Sequence, residues 1–185
     1  MAPSPVVLPG GTMLFYLYMS NEAEAPKVPT DGGKPAAASI GVLRMRLDGF
    51  VSFGSTHYAQ PASIRTQPLR MSGHELRVNV DSISGAMRVA IMDPTRQDPG
   101  SGDLAVFPGF GLNQSIVLSS NSVNATVSWS NASVSSLVGK PLVLHFELME
   151  AELYSFQFAK TTVKTDDGVL AARALVVTTR TQTTH

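Results

Sequence analysis

Glu75-Leu76-Arg77-Val78-Asn79-Val80-Asp81 alternates apolar and polar residues without a break, and Met87-Arg88-Val89-Ala90-Ile91 resumes the alternation after a short interval. A period of two puts Leu76, Val78 and Val80 on one face of a strand, and Met87, Val89 and Ile91 on one face of a second. Arg77 and Asn79 are then expected to face outward, where replacement is nearly neutral. Ser84-Gly85 fits a turn between the two runs, Ser72-Gly73 precedes the first and Asp93-Pro94 is expected to close the second. Two half-buried antiparallel strands joined by a tight turn begin a meander.

The same pattern recurs in both directions. Leu142, Leu144, Phe146 and Leu148 alternate with Val143, His145, Glu147 and Met149, and Tyr154, Phe156 and Phe158 alternate with Ser155, Gln157 and Ala159. Strands are also expected over 63–69, 114–118 and 124–130. With about seven or eight short strands and no amphipathic helical period, the patterning predicts an all-β fold, an antiparallel two-sheet β-sandwich of jelly-roll-like type. Its core is expected to contain Leu76, Val78, Val80, Val89, Ile91, Leu142, Leu144, Phe146, Phe156 and Phe158.

Nearer the start, Met13-Leu14-Phe15-Tyr16-Leu17-Tyr18-Met19 is apolar but too short to span a bilayer. It lacks the positive flank and small-residue cleavage site of a signal peptide. Its aromatic content suits a strand. Residues 22–38 are rich in Pro, Gly and Ala without period, which predicts a long exposed loop. Strand character returns in Ile40-Gly41-Val42-Leu43-Arg44-Met45-Arg46-Leu47 and stops at the Asp48-Gly49 turn signal, with Phe50-Val51-Ser52-Phe53 beyond it. A domain boundary is placed there, giving residues 1–50, 51–158 and a C-terminal extension over 159–185. Within that extension the apolar run 169–177 suits an edge strand or short helix, and the Thr-rich end is expected to be mobile.

Composition narrows the function. Fourteen Lys plus Arg balance fourteen Asp plus Glu, so the chain has no basic field for nucleic acid or an anionic membrane surface. Zero cysteines exclude disulfides, zinc-thiolate sites and thiol nucleophiles. Gly139-Lys140-Pro141 fails the phosphate-binding loop, and Gly109-Phe110-Gly111 is followed by Gln114 where a dinucleotide fingerprint needs glycine. There is no Gly-x-Ser-x-Gly elbow, and His57, His74, His145 and His185 lack metal-ligand spacing. No cofactor is expected.

Carboxylates suited by proximity to glycoside chemistry are Glu147, Glu150, Glu152 and Asp166-Asp167, but their spacing selects no pair, and they suit a solvated surface. Asp93, Asp98 and Asp103 lie in a Pro/Gly-rich loop that could bind calcium together with loop carbonyls, but the regular one-three-five ligand pattern with a closing glutamate is missing, so no metal site is assigned. Candidate rings for stacking on a sugar are Tyr58, Phe107, Phe110 and Trp129, although Trp129 shares parity with Ala125 and Val127 and so suits the core. Asn113, Asn124 and Asn131 head Asn-x-Ser/Thr sequons, which would suit an extracellular protein. Arg44 and Arg46 beside Asp48 are expected to be exposed strand charges.

Taken in order, residues 40–52, Thr66-Gln67-Pro68-Leu69, residues 75–81, and Gly139-Lys140-Pro141-Leu142 through Tyr154-Ser155-Phe156-Gln157-Phe158 resemble the C-terminal region of glycoside hydrolases of the family 32/43 type. In these, a five-bladed β-propeller is followed by a β-sandwich module. The likeness spans about residues 10–158. It implies that residues 1–50 hold the end of the last propeller blade, matched by 11–20 and 39–52, and that 51–158 form the sandwich. The chain departs from the family in lacking a histidine after its aromatic strand and an acidic residue near Asn113-Gln114. The family's catalytic carboxylates belong to earlier blades, so the resemblance carries no catalytic residue onto this sequence. It implies a noncatalytic accessory or structural module, with carbohydrate binding as the alternative, or a glycosidase piece without its catalytic blades. The strands over 12–19 and 39–47, cut from a blade, are expected to associate with a second copy or dock on a propeller domain.

Overall fold

The computed structural model describes residues 4–20, 38–55 and 60–160. Most of the expected loop over 22–38, Tyr58, His57, and the C-terminal extension beyond Lys160 lie outside them. The chain divides into two compact units, Met1–Phe50 and Val51–His185. Among the described residues every regular element is a strand except one 3-10 turn, and all the strand pairs are antiparallel.

The first unit holds strands β1 (Val6–Leu8), β2 (Thr12–Ser20) and β3 (Ala38–Arg46) in the order β1-β2-β3. The turn from β1 to β2 needs two successive positive φ angles, 85° at Gly10 and 79° at Gly11, which glycine adopts without a Cβ clash. The β2–β3 ladder is regular, from Thr12 opposite Arg46 to Ser20 opposite Ala38. It ends at the Asp48-Gly49 turn, where Gly49 N–H donates to the Arg46 carbonyl at 3.0 Å. Met13 is buried and Phe15 meets Phe50 edge-on with centroids 5.9 Å apart. Most of the other large apolar side chains described in this unit are exposed.

The second unit contains β4 (Phe53–Gly54), β5 (Ala62–Arg65), β6 (Leu69–Arg70), β7 (Glu75–Asp81), β8 (Ala86–Gln97), β9 (Leu104–Val106), β10 (Asn121–Val127), the 3-10 turn Val134–Leu137, β11 (Pro141–Met149) and β12 (Glu152–Ala159). One sheet runs β10-β7-β12-β4 and the other β5-β11-β8-β9, with β6 also pairing β11. The two sheets feed one hydrophobic cluster. Leu76, Val78, Val80 and Val127 come from the first; Met87, Val89, Ile91, Leu142, Leu144, Phe146 and Leu148 come from the second. The period-two faces therefore do what alternation requires, and burying them supplies the main stabilisation, at roughly 1.5–3 kcal/mol for each fully buried side chain. Phe156 and Phe158 are half-buried at the margin of this cluster, Phe156 lying 5.4 Å from Phe146 between ring centroids.

Three local expectations are corrected. Asn79 is not outward and replaceable but 2% exposed. It lies opposite two register shifts, one in β10 between Ser122 and Ala125 and one in β12 between Leu153 and Ser155. Bulges in both neighbouring strands crowd the same point of β7. Asp93-Pro94 does not close its strand, because β8 continues to Gln97. Proline is tolerated there since the pairing with β9 is itself irregular between Asp93 and Gln97. The segment 114–118 forms no strand. Ser115 and Leu118 make only isolated bridges, to Trp129 and Met87, because the chain turns through Gly111–Gln114, with Gln114 Oε1 accepting from Gly111 N–H.

Candidate functional site

Buried Leu142, Leu144, Phe146 and Leu148 face the core, so His145 and Glu147 of β11 point to the opposite side of the sheet. Register completes the constellation. His145 stands opposite Arg65 of β5, and Glu147 stands opposite Ser63 on one side and Arg88 of β8 on the other. Ser63 is thus the diagonal neighbour of His145, and its Oγ shares a hydrogen bond of 2.6 Å with Nε2.

Arg65 reaches across to the loop before β9. Its Nη1 and Nη2 donate to the two carboxylate oxygens of Asp103 at 2.7 and 2.6 Å. The loop is stiffened from within: Asp98 Oδ1 accepts from Gly100 N–H at 2.8 Å and Ser101 N–H at 2.9 Å, and Asp98 N–H donates to the Asp103 carbonyl at 2.7 Å. These groups border an open cleft of about 450 Å³, with Arg96 and Gln97 from the end of β8 and apolar wall from Met92 and Leu104.

Electrostatics follow the geometry. Burial lowers the His145 pKa and the nearby Arg65 lowers it further, outweighing the upward pull of Glu147 and Asp103, so the imidazole favours its neutral form. The Arg65 hydrogen bond, followed by the Leu104 N–H, holds the Asp103 carboxyl below its ordinary range. The Ser101 and Gly100 N–H groups do the same for Asp98, and the Thr95 hydroxyl and N–H for Asp93.

A serine hydrogen-bonded to a neutral imidazole resembles the start of a nucleophilic pair, yet catalysis also needs an acceptor orienting the second ring nitrogen and donors for an oxyanion. Ser63 sits in a paired strand, and no described side chain hydrogen-bonds His145 Nδ1. Among the described residues the Ser63–His145 pair therefore lacks the orienting acceptor that a nucleophilic pair needs. Among the described residues, no group of three or more His, Asp or Glu side chains could hold a metal ion, and no helix is long and apolar enough to cross a membrane.

The residues singled out in the sequence scatter elsewhere. Trp129 and Phe110 are 6% and 3% exposed and pack edge-on with centroids 5.2 Å apart, while Trp129 Nε1–H donates to the Val89 carbonyl at 2.9 Å. Both are core residues with no ring face for a sugar, which removes them as stacking platforms. Phe107 is half-buried against the core with Lys140 Nζ 5.9 Å from its centroid. Tyr58 lies outside the described residues, as do Asp166 and Asp167. Glu150 occupies the β11–β12 turn, and Glu152 Oε2 accepts the Tyr154 hydroxyl at 2.6 Å. Asn113, Asn124 and Asn131 are all exposed. Sequence reasoning missed Ser63, Arg65 and Asp103 as a group with His145, because only the successive pairings of β5 with β11, β11 with β8 and β8 with β9 bring them together. The one local signal was the outward parity of His145. Comparison with known proteins found no matching family model, curated protein or solved structure.

Proposed function

We propose that residues 51–158 form a two-sheet β-sandwich of jelly-roll type that serves as a noncatalytic accessory module, similar to the C-terminal module of family 32/43-type glycoside hydrolases. Residues 1–50 then supply strands to a propeller-blade-like sheet. The observation that carries this reading is the apolar surface of the first unit. Tyr18 is 61%, Ile40 77% and Val42 53% exposed, and Tyr16, Leu17 and Leu43 are exposed beside them. Both parities of β2 and β3 are represented, so neither face of the sheet is fully covered. Isolated three-stranded sheets with this much apolar surface need a covering layer, and a neighbouring propeller blade provides one.

The noncatalytic part is tested by screening the full chain on fructosides, arabinosides and xylosides. No turnover is expected, since glycoside cleavage needs two carboxyl groups held across one bond, and Glu150 and Glu152 sit in and beside a hairpin turn. Turnover abolished by Glu150→Gln or Glu152→Gln would overturn it. The exposed sequons support an extracellular setting, and a mass decrease on enzymatic deglycosylation of protein from a secreting eukaryotic host is the expected result.

A further inference from the structure

We infer that the cleft beside His145 is a subsite for a neutral saccharide, held through vicinal hydroxyls. Its volume, about 450 Å³, falls within the range of small-ligand sites. Its lining combines two guanidinium groups, Arg65 and Arg96, with two carboxylates, Asp98 and Asp103, around a histidine that favours its neutral form. An anion placed there meets the carboxylates and a cation meets the guanidiniums. A purely apolar molecule strips water from all four without replacing its hydrogen bonds. Hydroxyl groups both donate and accept, so a hydroxyl-rich neutral ligand satisfies both kinds of group at once without carrying a charge that either kind repels.

The polar groups are also preorganised and not exhausted. The Arg65–Asp103 fork is fixed by two parallel hydrogen bonds, and Asp98 by its own loop. Arg65 keeps further N–H donors beyond the two that Asp103 accepts. His145 Nδ1 and the Arg96 guanidinium make no hydrogen bond to another described residue. Two adjacent hydroxyls match the spacing of a guanidinium or carboxylate edge, and Met92 and Leu104 offer C–H surface to the ring. An open cleft without an aromatic platform implies weak, millimolar-range binding.

The choice of a saccharide over other polyols rests on the accessory-module reading; the cleft's preference for hydroxyls does not. The test is an amide chemical-shift titration of the full chain with D-xylose, L-arabinose and D-fructose, with 1,2-cyclohexanediol and sodium acetate as comparison ligands. The inference predicts saturable shifts centred on Leu104 and His145 for at least one sugar. Asp103→Asn and Arg65→Met should each weaken that binding at least ten-fold while the rest of the spectrum is unchanged. If one variant fails to fold, Arg96→Gln, on an exposed side chain, carries the test with the same expectation. Absence of saturable shifts with any sugar, binding of the diol alone, stronger binding of acetate, or shifts insensitive to these substitutions would overturn it. Failure here leaves the first unit's association intact, whereas failure of the accessory-module reading appears in that association.

Discussion

Phe146 is 1% exposed and lies opposite Ile64 of β5 and Val89 of β8 at the centre of its sheet. Removing its ring leaves a cavity that a sheet interior cannot collapse into. Phe146→Ala should therefore cost about 3–5 kcal/mol by chemical denaturation, and a loss below about 1 kcal/mol would contradict its placement. One residue along, His145 makes stability depend on pH. Its folded pKa lies below the ordinary imidazole value near 6.5, so the unfolded chain binds the proton more readily. Stability is full above about pH 6.5 and falls as pH drops through that value toward the folded pKa. His145→Gln should flatten the stability profile as pH falls below about 6.5, and an unchanged slope would contradict the assignment. The lowered pKa values of Asp93, Asp98 and Asp103 add a separate loss in more acid solution, as pH falls below their ordinary range. At this scale the core was legible wherever one strand's parity decided burial, as for Trp129 beside Val127. Asn79 was not, because its burial comes from bulges in two strands distant in sequence.

Between strands the turns decide register. Gly85 ends the β7–β8 turn, and a Cβ placed there would overlap the Met149 carbonyl oxygen. Gly85→Ala should destabilise by about 1–3 kcal/mol, the usual range for forced overpacking. Glu150, in the β11–β12 turn, has φ of 47°, a left-handed conformation that costs a side-chain-bearing residue about 1–2 kcal/mol. Glu150→Gly should raise the urea midpoint, and a lower midpoint would contradict the turn geometry. Strands β7, β8, β11 and β12 were readable because their apolar residues alternate in sequence, although burial is not strictly one-sided: Ala90 and Met92 of β8 are buried too, and in β12 only Leu153 is buried. The three-residue β1 and the two-residue strands β4 and β6 are too short to show a period; β1 exists as one arm of a hairpin with β2, and β4 and β6 through pairing with the distant β12 and β11. The stretch over 114–118 has strand-like composition but spends its hydrogen bonds on a turn and two bridges. The cleft shares this limitation: its members lie on β5, β8, β9, β11 and the loop before β9, and the β5–β11, β11–β8 and β8–β9 pairings together assemble them.

At the scale of the molecule, the two units differ in how they treat apolar side chains. The second buries its alternating faces in one cluster, whereas the first has a single buried apolar residue among those described, Met13. A sheet of that kind is stabilised in water by a neighbouring layer, and β1 and β3 are its edge strands among the described residues. The proposed role as an accessory module stands on this asymmetry. Its most direct test is sedimentation velocity of the full chain over a wide concentration range, beside Ile40→Lys and Tyr18→Lys variants. Without a propeller to dock on, the native chain should self-associate with rising concentration, and both variants should shift it toward monomer while leaving the second unit's unfolding transition unchanged. A native chain that stays monomeric at every concentration, with β2 and β3 amides well protected from hydrogen exchange, would show that the sheet is stable uncovered and contradict the account.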